Sequence, residues 1–86
     1  VEIHYFAAAR AAAGIPVEHI DTAAGATVGE ILAARAAAHD GRTQAGMSFG
    51  DVLARCTFLL DGARVESDAT VDGAHRLDVL PPFAGG

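Results

Sequence analysis

The sequence contains no lysine and no tryptophan, a single cysteine, three prolines and five aromatic residues among 86. Each scarcity excludes something. Without lysine there is no side-chain amine to form a Schiff base, or to accept an isopeptide bond from a second copy of the chain. Cys56 has no partner for an internal disulfide, which agrees with a reducing compartment. Six arginines against eleven acidic residues leave a net charge of −5, which argues against sequence-independent binding to phosphate backbones. Protein partners with basic grooves are expected, and neither nucleic acid nor membrane. No apolar run approaches the roughly 20 residues that a membrane-spanning helix needs. No positively charged segment followed by an apolar stretch opens the chain, so a cytoplasmic location is expected.

What is present is a compact apolar inventory. With 51% hydrophobic and 20% charged residues, the chain reads as one small globular domain near the lower size limit for an unstapled core. Val1 to Phe6 alternates, with Val1, Ile3 and Tyr5 on one side and Glu2, His4 and Phe6 on the other, as a half-buried strand does. The alanine-rich stretch Ala7 to Ala13 predicts a short helix ending at Gly14. Ile15 to Asp21 reads as a second strand. Thr27-Val28-Gly29-Glu30 matches a capping box, and Val28, Ile31, Leu32 and Ala36 follow at helical spacing until Asp40-Gly41. Gly41 to Ser48 reads as a surface loop, and Ser48 to Ala54 as a capped helical turn. Thr57 to Leu60 and Arg64 to Glu66 flank Asp61-Gly62, a tight-hairpin dipeptide, and Arg76 to Leu80 forms the last strand after a turn at Asp72-Gly73. This order predicts an α+β fold, a ubiquitin-like β-grasp. Its mixed sheet carries one main helix on one face, with the first and last strands parallel at the centre. Residues 1–80 form the domain and 81–86 an extended tail.

Few side chains suggest chemistry. Cys56 has no histidine close in sequence to act as base and reads as a buried structural thiol. His4, His19, His39 and His75 lack the paired spacing of a metal site and read as surface residues. The glycines lack the lysine of a phosphate loop. The reactive candidate is main chain. Pro81 and Pro82 force an extended path, and Gly85 and Gly86 carry no Cβ, so a terminal diglycine can thread a narrow channel and present a carboxylate. At about 3.3 to 3.6 Å per residue, the segment from Pro81 to Gly86 reaches roughly 20 Å. Strand alternation places Phe6 and Leu80 on the face away from the helix, where an apolar patch reads as a docking site.

With these residues in hand, the chain resembles the MoaD and ThiS sulfur-carrier families, most closely MoaD, the small subunit of molybdopterin synthase. Tyr5-Phe6-Ala7-Ala8-Ala9-Arg10 followed by Gly14 is similar to the family's opening Phe-Ala-x-x-Arg signature. Leu80-Pro81-Pro82-Phe83-Ala84-Gly85-Gly86 is similar to its Pro-Pro-x-x-Gly-Gly ending. The resemblance implies that a MoeB-like adenylyltransferase uses ATP to convert the Gly86 carboxylate to a glycyl adenylate, which becomes a thiocarboxylate. It further implies that the tail, with Phe83, Ala84 and Gly85, inserts into a MoaE-like large subunit and donates sulfur to cyclic pyranopterin monophosphate. No cofactor would be bound by this chain itself. Phe6, Leu80 and Arg10 would contact the partners, as would Arg64, which stands where an apolar interface residue is common. Two other readings stay open: a sulfur carrier for thiamine or cysteine synthesis, and a ubiquitin-like protein modifier.

Overall fold

The computed structural model describes residues 1–39 and 46–82. Among these described residues five strands and three helices follow in the order β1 (Glu2–Tyr5), α1 (Ala7–Ala13), β2 (Val17–His19), α2 (Val28–Ala38), α3 (Phe49–Leu53), β3 (Thr57–Leu60), β4 (Ala63–Val65) and β5 (Arg76–Leu80). They form one sheet in the spatial order β2-β1-β5-β3-β4. The central pair, β1 and β5, is parallel, with Ile3 opposite Leu77 and Tyr5 opposite Val79, while the other pairs are antiparallel. This is the β-grasp that the element order predicts.

Local chemistry explains where the elements start and stop. At the head of α2 the capping box closes both ways: Glu30 N–H donates to Thr27 Oγ1 at 3.1 Å, and Thr27 N–H donates to Glu30 Oε1 at 3.2 Å. Ser48 Oγ caps α3 by accepting from Asp51 N–H at 3.1 Å. Gly14 ends α1 in the left-handed region at φ 77°. Asp61 and Gly62, at φ 47° and 87°, make the two-residue hairpin turn in which both central residues are left-handed, matching the twist of β3 and β4. The Asp61 carboxylate also accepts from the backbone N–H groups of His75 and Arg76, which ties this turn to the start of β5.

All three helices lie on one face of the sheet. The core joins Ile3, Tyr5, Leu77 and Val79 of the central strands to Val28, Ile31 and Leu32 of α2, Ala9 and Ala12 of α1, and Phe49, Val52 and Leu53 of α3. Each fully buried aliphatic or aromatic side chain contributes about 1.5 to 3 kcal/mol relative to exposure. Tyr5 and Phe49 meet edge to face with ring centroids 5.3 Å apart. The Tyr5 hydroxyl donates to Glu18 Oε1 at 2.6 Å, and Glu18 is also bonded by Arg35 at 3.3 Å and His39 at 3.0 Å. Burial alone raises the Glu18 carboxyl, but the bonds from Tyr5, His39 and Arg35 outweigh it and hold the group below its ordinary range.

Several expectations need correction. β1 and β2 are shorter than Val1 to Phe6 and Ile15 to Asp21, and Phe6 is the N-cap of α1 rather than a strand residue. The reason is geometric: Ala7 turns the chain sharply at φ 49°, which ends the ladder one residue early. The histidines do not all stand free on the surface, because His4 and His39 are half-buried against Glu2 and Glu18. Asp40-Gly41 and most of the expected loop Gly41 to Ser48 lie outside the described residues.

Candidate functional site

The site is built where the two central strands end together. Phe6 N–H donates to Val79 C=O at 3.2 Å, carrying the β1–β5 pairing one step past Tyr5 and bringing Phe6 alongside Leu80. Phe6 C=O in turn accepts from the N–H groups of Ala9 and Arg10, so α1 fixes its backbone from the other side. The left-handed Ala7 beside it stores about 1 to 2 kcal/mol of strain, held by these bonds. Phe6 remains 38% exposed although it is a large apolar residue. Leu80 is half-buried and faces away from the helices, since its neighbour Val79 is fully buried on the inner face.

Sequence reasoning missed a third member of this patch. Tyr5 N–H donates to Pro16 C=O at 2.9 Å, which extends the β1–β2 pairing and brings Ile15, also 38% exposed, to the same end of the sheet as Phe6. The signal was available in the alternation of Ile15, Val17 and His19. Pro81 and Pro82 leave β5 directly from this apolar end. Phe83, Ala84, Gly85 and Gly86, the expected inserting and reacting residues, lie outside the described residues.

The opposite end of the open face is polar. His4 Nε2 and Glu2 Oε1 are 2.7 Å apart, His19 Nε2 lies 3.9 Å from the other Glu2 oxygen, and Arg76 donates to Asp78. The hydrogen bond with His4 holds the Glu2 carboxyl below its ordinary range. The open face is therefore apolar beside Pro81 and charged away from it.

The other predicted contact residues are spread out. Arg10 is exposed on α1, one helical turn from Phe6. Arg64 lies on β4, opposite Leu59 and three strands away from β1, so it does not join Phe6 and Leu80. Cys56 is half-buried, its Sγ donates to Val52 C=O at 3.2 Å, and burial pushes the thiol up to about 11, which keeps it protonated and a poor nucleophile. Among the described residues no group of three His, Cys, Asp or Glu side chains is placed to hold a metal ion, and no helix is long and apolar enough to cross a membrane.

Comparison with known proteins agrees with this architecture. The sequence profile of the ThiS family matches residues 3–86. Among solved structures, SAMP1 from Haloferax volcanii superposes with a TM-score of 0.72 at 26% identity, covering 99% of this chain and 97% of that one. A second structure, of H. volcanii small archaeal modifier protein 1, gives a TM-score of 0.69 at 24% identity over 95% of each chain and shows the same fold. No curated protein matches.

Proposed function

The chain belongs to the ThiS family of ubiquitin-like β-grasp proteins, and on that premise we propose that it is a sulfur carrier serving as the small subunit of molybdopterin synthase. The observation that carries this reading is the apolar end of the open face, where Phe6 and Leu80 sit beside the Pro81-Pro82 exit. A partner seated there receives the tail directly in front of it. Carriers of this type work with partner enzymes, and here these are a MoeB-like adenylyltransferase and a MoaE-like large subunit.

The chemistry follows from the weakness of a carboxylate as an electrophile. A Gly86 carboxylate oxygen attacks the α-phosphorus of ATP in the activating partner, and pyrophosphate leaves. Sulfide-level sulfur, supplied as hydrosulfide, then attacks the acyl carbon, the acyl C–O bond breaks, AMP departs, and Gly86 carries a thiocarboxylate. In the large subunit that sulfur passes to cyclic pyranopterin monophosphate, and water restores the carboxylate. Any lysine that assists these steps comes from the partners, since this chain supplies none. One residue appended after Gly86 is expected to abolish sulfur loading while leaving the fold intact; normal loading of that variant rejects the reading.

A second reading has a specific observation behind it, the likeness to the small archaeal modifier protein. A modifier forms an isopeptide through the same Gly86 carbonyl after the same activation. Immunoblots of cell extracts separate the two, because a modifier yields high-mass conjugates and a dedicated carrier does not.

A further inference from the structure

The two edges of the sheet are finished differently. At the β2 edge, the inward-facing residue is Glu18, a charge tied to Tyr5, Arg35 and His39, and Pro16 precedes the strand. An inward charge and an adjacent proline are devices that protect an edge from further pairing. At the β4 edge neither device is present. Below β4, between α2, α3 and the sheet, lies an open groove of about 410 Å³ with Leu32, Ala33, Leu53, Phe58 and Val65 in its lining. The small side chains of Ala33, Ala36, Gly50 and Ala54 keep the helices from filling it.

The backbone of β4 shows what fits. A two-residue turn makes Leu60 and Ala63 a hydrogen-bonded pair, and so also Phe58 and Val65 two residues on. Arg64 lies between them, so both its N–H and its C=O point away from β3, toward the open edge. Among the described residues Arg64 has no ion-pair partner, and it is exposed. We propose that the β4 edge and the groove beneath it bind an extended peptide segment of a partner protein, which adds a sixth strand through Arg64. The residue facing Arg64 would be acidic, and the one beside it, facing Val65, would be a large apolar residue that enters the groove.

Side-chain alternation fixes this pattern. Arg64 points to the open face with Leu59, whereas Val65 points to the helix face with Phe58, so adjacent residues of an added strand meet the cation and the groove in turn. A second copy of the chain is a poor occupant, because two-fold pairing about Arg64 sets two guanidinium groups directly opposite each other. This site is separate from the Phe6 and Leu80 end and does not depend on sulfur transfer.

The test selects seven-residue peptides displayed on phage against the full chain, then titrates the enriched peptides, synthesised with capped ends, into ¹⁵N- and methyl-labelled protein. Enrichment of alternating sequences with an acidic residue next to a large apolar one is expected, with shifts at the Arg64 amide and at the Leu32, Leu53 and Val65 methyls. Arg64→Pro removes the outward N–H without touching the ladder to β3, and the exposed Ala33→Leu narrows the groove; each is expected to weaken binding at least tenfold. No enrichment, shifts confined to the Phe6 and Leu80 face, or a concentration-dependent dimer that Arg64→Pro abolishes would each overturn the proposal.

Discussion

The two faces of the sheet are built from the same alternating strands yet are held to different standards. On the inner face Ile3, Leu77 and Val79 are completely buried and Tyr5 almost so, and its polar atoms are paired. On the outer face Phe6 stays exposed and Leu80 half-exposed at one end, while Glu2, His4, Arg76 and Asp78 form a charged margin at the other. The inner face is finished by the chain itself. The outer face is graded along the strands, apolar at the Pro81 end and charged at the other, and under the proposed function it is the side a partner meets, opposite to the side used for folding.

That contrast can be broken by substitution, beginning with its most costly member. Phe49→Ala empties the centre of the inner layer and is expected to destabilise the fold by about 3 to 5 kcal/mol in urea unfolding, with partner binding following only as the folded fraction falls. Leu80→Glu acts on the other side: affinity for the activating enzyme should drop by about 2 kcal/mol, roughly 30-fold, in calorimetry, with stability changed by less than about 0.5 kcal/mol. If Leu80→Glu unfolds the protein instead, the division between faces fails.

Smaller effects sharpen the inner face. The folded Glu18 carboxyl sits below its unfolded value of 4.5, so its contribution is complete above that pH and is lost as pH falls through the lower folded value. Glu18→Gln should cost about 1 to 2 kcal/mol at pH 7 and flatten the loss of stability below pH 4.5, as read by melting temperature across an acid series. Thr27→Ala removes the cap of α2 and should cost about 1 kcal/mol, measured the same way. Smallest of all, Ala7→Gly relieves the left-handed strain beside Phe6 against a poorer helix propensity, for a net change within about 1 kcal/mol.

How much of this was legible in the sequence depended on whether the signal was local. The Thr27–Glu30 box, the Asp61-Gly62 turn and the alternation of Ile3 and Tyr5 or Leu77 and Val79 each lie within a few residues, and each appears as read. Phe49 and Val71 were not legible as core. Phe49 belongs to a helix of five residues, too short to display a period, and Val71 is a lone apolar residue between turns, held by its N–H bond to Ala26. The role of Glu18 was hidden for a different reason: a carboxylate facing inward makes sense only once Tyr5 of β1 and Arg35 and His39 from the last turn and C-cap of α2 converge on it. At the site, Phe6 and Leu80 could be paired in advance because parallel central strands fix their register, whereas Ile15 was passed over as an ordinary strand residue. The separation of Arg64 from that patch follows from the strand order, which no local pattern carries.

The central claim is that Gly86 is loaded with sulfur, and intact mass spectrometry of the chain isolated from its own cells tests it most directly. The account predicts a population heavier by about 16 Da, sulfur in place of one oxygen, which disappears when Gly86 is deleted. A chain found only at its unmodified mass, with the activating enzyme and ATP present, would contradict it.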